Sequence, residues 1–320
     1  MVTIKDVARD AGVSVGTVSN VLNGGRVSEA RRKLVEASIE KLGYQVNTLA
    51  KGMRMQKTDY VVVILPNLIN PYFALLLDAL ESELSAVGKQ VLLCLSGDDA
   101  EREVAFMDMA KQNKVDGIIG VTYSKVEEER IENMAFVSID RHYKSHIPCV
   151  AGDNWQGGWL AAENLHKRGS TNLLCFMTMS SVDSEVRKRR VGFTEYCMEH
   201  DLSCNSVEMS EKQIVSVYES YGSRKLIHNM LRAYISPSMG EHSIDGIFTS
   251  SDHLATIVRE ELEEMGKRVP EDIQIIGYDG LQFLNQGKPI VSSIAQPVHE
   301  IAKEAVRCLN ELIANGKTEG

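Results

Sequence analysis

Carboxylates, amides and an arginine sit just beyond the apolar runs of this 320-residue chain, with aromatic rings beside them. Asn67, Asn70, Tyr72 and Phe73 follow the run 60–65, and Asp98 follows 90–95. Asp153 and Asn154 open a helical stretch, and Arg189 precedes Gly192-Phe193. Ser251 and Asp252 follow Ile247-Phe248-Thr249, Asp279 closes Ile275-Ile276-Gly277-Tyr278, and Gln296 follows the last strand. Hydroxyl groups need donor and acceptor pairs, and the less polar faces of a sugar pack on rings, so this set suits a polyhydroxylated ligand. Strand ends are polar in any case, and any one of these residues alone reads as a helix cap, so the residues by themselves leave both readings open.

Alternating strands and helices must position these groups. Strand-like apolar runs at 60–65, 90–95, 115–121 and 136–140 are separated by helical patterns near 72–87 and 100–112. A second series follows: helices near 156–167, 185–200, 219–234 and 252–265, with strands at 173–177, 245–249 and 273–278. Repeated β-α-β units give parallel sheets covered on both faces. Two doubly wound lobes predict a cleft between them, with ligands bound beyond the carboxyl ends of the strands.

Catalytic signatures do not occur. The chain has no GxxxxGK[ST] loop, and its one GxSxG string, Gly12-Val13-Ser14-Val15-Gly16, falls between two helical patterns rather than at the strand-to-helix turn a nucleophile elbow needs. His142 and His146 are four apart, but the stretch runs into Pro148 without a helical pattern, so no metal is expected. Gly157-Gly158 lies in a helical pattern, and Glu127-Glu128-Glu129 reads as a solvated face. Six scattered cysteines without a CxxC pair read as reduced thiols. The expectation is no enzyme and no cofactor. With no apolar run of about 18 residues and no secretory signal pattern at the start, a cytoplasmic location away from the membrane is expected.

The first residues differ in charge and period. Residues 1–57 carry ten Lys/Arg against five Asp/Glu, a net +5, while the rest carries 25 against 39, a net −14, inside a total of −9. A basic head on an acidic body fits polyanion binding by the head alone. Ile4, Val7, Ala8 and Ala11 share a helical face behind a Thr3 cap, and Gly12 suits a left-handed turn. Ser14 caps a second helix with Val18, Val21 and Leu22 inward. A third, capped by Ser28, turns Leu34, Val35, Ile39 and Leu42 onto the pair. Two short helices joined by a tight glycine turn are the geometry of a helix-turn-helix.

The head Thr3-Ile4-Lys5-Asp6-Val7-Ala8, Ala11-Gly12-Val13-Ser14, Thr17-Val18-Ser19, Val21-Leu22-Asn23, Val27-Ser28 and Leu42-Gly43-Tyr44 resembles that of the LacI/GalR repressor family. In the body, Asp153-Asn154, Arg189-Arg190-Val191-Gly192-Phe193 and Gly277-Tyr278-Asp279 are similar to the family's motifs. The resemblance implies an all-α helix-turn-helix head on an α/β body of two doubly wound parallel-sheet lobes, like a periplasmic binding protein. It implies a helix-turn-helix domain at 1–46, a hinge helix or linker at 47–58 and an effector domain at 59–320. The N-lobe is expected at about 59–154 plus part of 282–315, and the C-lobe at about 155–281.

By position, the resemblance implies that Val15, Gly16 and Asn20 face base edges. Ser14, Thr17, Ser19 and Asn23 hold phosphates, and Thr3, Ser28 and Arg31 add backbone contacts. Asn20 stands where many members carry Arg, which shifts the expected readout from guanine toward adenine. Asn47 caps the hinge, Ala50 lies on the minor-groove floor, and Met53 replaces the usual Leu wedge. Asp153, Arg189, Asp279 and Gln296 become the best effector contacts, with Tyr72, Phe73 and Tyr218 as aromatic candidates. The implied mechanism is a homodimer on a pseudo-palindromic operator, released when a mono- or disaccharide closes the lobes. The alternative is a purine or a phosphorylated carrier protein acting as corepressor.

Overall fold

The computed structural model describes residues 2–22, 24–44, 58–127, 131, 134–143, 146–179, 182–210, 213, 224–235, 243–281 and 291–316. The chain divides into two compact units, Met1–Thr58 and Asp59–Gly320. The expected hinge residues Asn47, Ala50 and Met53, and also Asn23 and Tyr218, lie outside the described residues.

The first unit holds helices α1 (Ile4–Asp10), α2 (Val15–Leu22) and α3 (Glu29–Leu42). Thr3 starts α1: its backbone N–H and its hydroxyl both donate to the Asp6 carboxylate, at 3.0 and 2.6 Å. Gly12 takes φ +64° in the turn, a conformation that costs glycine nothing. Ser14 Oγ then accepts the Thr17 N–H at 3.1 Å, capping α2. Val7, Val18 and Val35, one from each helix, are fully buried at the centre. One expected core residue is not there. Leu34 is 55 % exposed, and the inner position belongs to buried Ser38, whose hydroxyl donates to the Val7 carbonyl at 3.3 Å. At 100° per residue Val35, Ser38, Ile39 and Leu42 form the inward stripe, and Leu34 falls outside it.

The second unit contains two five-stranded parallel sheets. The first comprises β1 (Tyr60–Leu65), β2 (Gln90–Leu95), β3 (Gly117–Gly120), β4 (Phe136–Ile139) and β5 (Cys149–Val150), in the order β2-β1-β3-β4-β5. Its helices are α4 (Pro71–Ala86) and α5 (Ala100–Gln112). Central β1 reads YVVVIL and is apolar on both faces, as a strand covered by helices on two sides must be.

The second sheet is built from β6 (Asn172–Met179), β7 (Ser203–Ser210), β8 (Gly246–Thr249), β9 (Gln274–Asp279) and β10 (Ser292–Ala295), in the order β10-β9-β8-β6-β7. Helices α6 (Asn154–Lys167), α7 (Arg187–Glu199), α8 (Lys225–Ile235) and α9 (Asp252–Glu264) accompany it. Edge strand β7 reads SCNSVEMS and is mostly exposed. That polar pattern hid it from a search for apolar runs. The last helix, α10 (Val298–Asn315), returns to the first lobe, where Ile301, Ala302, Ala305 and Leu309 join the core of Val61, Val63 and Leu76. The stretch 292–295 pairs with β9, so the return to the N-lobe falls after β10.

Candidate functional site

A recognition surface is available on the head. Val15, Gly16 and Asn20 lie on the outer face of α2, opposite buried Val18 and Val21, and are exposed. Ser14 is exposed beside them and Thr17 is half-buried; their hydroxyls share a 3.0 Å hydrogen bond. Ser19 is half-buried, and Thr3 and Ser28 stand exposed at the first residues before α1 and α3. A tight apolar interior thus turns a contiguous row of small polar groups outward.

The body carries a cleft of ≈ 560 Å³, its mouth included, where the strand ends of the two lobes meet. From the N-lobe it takes Asn67, Asn70, Tyr72, Phe73, Tyr123 and Asp140; from the C-lobe side, Thr178, Val186, Arg189, Ser250, Ser251, Asp279 and Gln296. Asn70 caps α4 by accepting the Tyr72 N–H at 3.1 Å. This places the Tyr72 and Phe73 rings edge to face, 5.6 Å apart.

Arg189 is the cleft's buried cation, held from three sides. Nε donates to Asn154 Oδ1 at 2.6 Å, Nη1 donates to the Ser250 carbonyl at 2.8 Å, and the guanidinium lies 3.6 Å from the Tyr278 ring centroid. Its position follows from glycines. A Cβ on Gly158 would sit 1.8 Å from the Arg189 carbonyl oxygen, and one on Gly192 would sit 2.0 Å from that of Trp155. Only bare backbone lets α6 and α7 approach so closely. Gly157 likewise leaves room for the Tyr278 hydroxyl, 2.5 Å from where a Cβ would be.

Asp279 lies on the same side of the cleft as Arg189 and feels its charge. It accepts from Gln296 Nε2 at 2.7 Å and holds φ at +119°, outside the region L-residues favour. Burial pushes its carboxyl up to about 8, against the pull of the Arg189 charge. Burial also raises Asp140, and it raises the Tyr72 hydroxyl well above its ordinary range. Tyr72 OH, Asp279 Oδ2 and Gln296 Oε1 are buried with no hydrogen-bond partner among the described residues. Beyond the cleft the lobes touch directly. The Glu185 N–H donates to the Asp140 carbonyl at 2.8 Å, and His142 Nε2 meets Glu185 Oε1 at 2.7 Å.

Of the effector residues expected from the sequence, Asn67, Tyr72, Phe73, Arg189, Ser251, Asp279 and Gln296 line the cleft. Asp153 does not: it is exposed and caps α6, accepting the Gln156 N–H at 2.8 Å. Asp98 does not either. It sits at φ +56° in the turn before α5, and its charge lies near buried Glu103. Five lining residues escaped the sequence reading: Tyr123, Asp140, Thr178, Val186 and Ser250. Asp140, Thr178 and Ser250 are polar residues at or just past strand ends, the same signal that singled out Asp279. Tyr123 carries no such mark, standing three residues beyond β3.

A helix-turn-helix unit followed by a two-lobed α/β unit with a polar interlobe cleft defines the class: a ligand-binding body joined to a DNA-reading head. Comparison with known proteins agrees. Residues 3–47 match the bacterial regulatory proteins of the lacI family, and residues 162–320 match a periplasmic binding protein-like domain. The chain is 32 % identical to a sucrose operon repressor of Pediococcus pentosaceus, over 97 % of this chain and 92 % of that protein. It is also 32 % identical to a ribose operon repressor of Halalkalibacterium halodurans, over 97 % and 89 %. A periplasmic binding protein/LacI transcriptional regulator from Alkaliphilus metalliredigens, complexed with D-xylulofuranose, superposes with a TM-score of 0.68 at 26 % identity, covering 80 % of this chain and 91 % of that one. The protein belongs to the lacI family of bacterial regulatory proteins and is a DNA-binding transcription regulator, not an enzyme.

Proposed function

We propose that the protein is a cytoplasmic transcriptional repressor that holds a near-palindromic operator as a homodimer and releases it when a mono- or disaccharide occupies the cleft. The observation that carries the sugar reading is the trio of buried, unpartnered polar atoms, Tyr72 OH, Asp279 Oδ2 and Gln296 Oε1, on one cleft. Each such group left unsatisfied costs about 1–3 kcal/mol, and a ligand with several hydroxyls, each able both to donate and to accept, satisfies the three together. Arg189 and Asn67 add polar grip, and Phe73 and Tyr123 offer ring faces to the sugar's less polar side. The names of the sucrose and ribose operon repressors, and the pentulose bound by the structural neighbour, fall in the same chemical class.

On the DNA side, Val15, Gly16 and Asn20 read base edges. Ser14, Thr17, Ser19 and Asn23 hold phosphates, Thr3 and Ser28 add backbone contacts, Asn47 caps the hinge, and Ala50 and Met53 meet the minor groove. Asn20 favours adenine, to which an amide side chain bonds through N6 and N7. Sugar and operator weaken each other reciprocally.

The test is a thermal-shift screen of the full chain against sucrose, D-ribose, D-xylulose and guanine, followed by operator binding with and without the hit. The expected result is stabilisation by a sugar that then releases DNA. A guanine hit, or a sugar that tightens operator binding, overturns the reading.

A further inference from the structure

Behind the N-lobe rim of the cleft lies a buried polar cluster that no ligand reaches. Arg141 donates from Nη1 to the Ser124 carbonyl at 2.6 Å, and to the Thr122 carbonyl and hydroxyl at 3.5 and 3.4 Å. Its guanidinium stands 4.3 Å from the Tyr143 ring centroid, and the Tyr143 hydroxyl shares a 2.7 Å hydrogen bond with Thr122 Oγ1. Fully buried Glu103, on α5, accepts from the Ser124 hydroxyl. None of these residues lines the cleft. Their immediate neighbours do: Tyr123 lies between Thr122 and Ser124, and Asp140 precedes Arg141.

The ladder explains why such a cluster is needed. Pairing of β3 with β4 ends at Gly120↔Ser138. Tyr123 and Asp140 therefore stand past the last paired residues, where the sheet no longer fixes their separation. Arg141 spans that gap, tying the segment after β3 to the end of β4 through Nη1 of its planar guanidinium fork, which also lies against the Tyr143 ring; lysine has no such plane. Burying a guanidinium is costly unless it is hydrogen-bonded and balanced. Ser124 supplies the connection to the balancing charge, accepting from Arg141 through its carbonyl and donating to Glu103 through its hydroxyl.

We propose that Arg141, with Glu103 as its buried counter-charge, is a positioning residue that sets the spacing of Tyr123 and Asp140 and so decides which hydroxyl pattern the cleft accepts. This rests on the reading of the cleft as a sugar site. Arg141 touches no ligand; it acts through the two residues it holds in place.

The experiment uses the full chain and the double variant R141M/E103Q, which removes both buried charges together and leaves neither uncompensated. R141K, which keeps the cation and loses the fork, is the second variant. Hydrogen exchange is followed by mass spectrometry in peptides covering 121–127 and 136–143, and binding of sucrose and D-ribose is measured by calorimetry. The expected result is exchange faster by about tenfold or more in those two segments, with β1 and β9 unchanged. Binding of whichever sugar the wild type takes weakens by about tenfold, as the loss of one charge-assisted hydrogen bond implies. R141K lies between the two. A purely structural role would let the charge-neutral pair recover wild-type binding; that recovery, or unchanged exchange in the two segments, overturns the proposal. If neither sugar binds the wild type, the sugar reading fails for these two ligands, and the exchange result alone decides whether Arg141 braces the rim.

Discussion

The head and the cleft are both recognition surfaces, built over opposite ranges of sequence. The head makes its interior from Val7, Val18 and Val35, one per helix, and its outward row largely from the other side of α2, the short helix that supplies Val18. The cleft draws on residues from Asn67 to Gln296, spread over several strand ends and helix starts of both lobes. The head's surface is therefore exposed and locally organised, with its hydrogen bonds running between near neighbours such as Ser14 and Thr17. The cleft's groups are buried, far apart in sequence and electrostatically coupled: Arg189, Asp279 and Asp140 influence one another's protonation. A surface of the first kind tolerates changes one at a time, whereas in the second each change leaves a buried partner unsatisfied.

The sharpest way to break this comparison is to attack each interior separately. Val18→Asp places a charge in the sealed centre of the head, which costs about 4 kcal/mol or more. Operator binding in a gel-shift assay is expected to vanish, while the sugar-induced thermal shift of the body survives. Loss of both would show that the two units do not stand independently. Next in size, Arg189→Ala strips a buried cation from Asn154, Ser250 and the face of Tyr278. Sugar affinity by calorimetry should fall by about 2–5 kcal/mol, with operator binding retained.

Gly192→Ala tests the contact that seats Arg189. The added methyl must push the Trp155 carbonyl away, an overpacking that costs about 1–3 kcal/mol in denaturant unfolding. Unchanged stability would mean that α6 and α7 part without cost.

A smaller effect comes from pH. Asp279 is held at about 8 in the folded chain, against 3.8 for the free side chain. The folded state therefore keeps a proton that the unfolded chain gives up. The stabilisation is complete below about pH 4 and is lost as pH rises through about 8. The wild-type Tm is expected to fall between pH 6 and 8.5, and Asp279→Asn to flatten that part of the curve. An identical slope in both proteins would place the titration elsewhere. The smallest effect is Leu34→Lys: a side chain 55 % exposed has little burial to lose, so stability should move by less than about 0.5 kcal/mol. A large loss would restore Leu34 to the core.

Much of this molecule was legible before any coordinates. Continuous β-branched runs such as Tyr60–Leu65 declare buried parallel strands; polar and aromatic residues past strand ends pointed to Tyr72, Asp279 and Gln296, and the resemblance of the Arg189–Phe193 motif pointed to Arg189. The failures have a common cause. Asp153 and Asp98 carry the same strand-end signature, but Asp153 bonds its own helix and Asp98 lies in the turn before α5, away from the cleft. Tyr123 reaches the cleft with no signature at all.

By itself the sequence determined the kind of most elements, edge strand β7 excepted, and the division into a basic helical head and an acidic α/β body. These follow from hydrophobic period, capping chemistry and charge, which act over a few residues. Only the tertiary structure decided which strand-end groups meet, that Gly158 and Gly192 seat the Arg189 backbone, and that Arg141 braces the rim from behind. Those outcomes depend on contacts between residues far apart in the chain, and on burial, which raises the Asp279 carboxyl to about 8 and leaves the Tyr72 hydroxyl without a hydrogen-bond partner among the described residues.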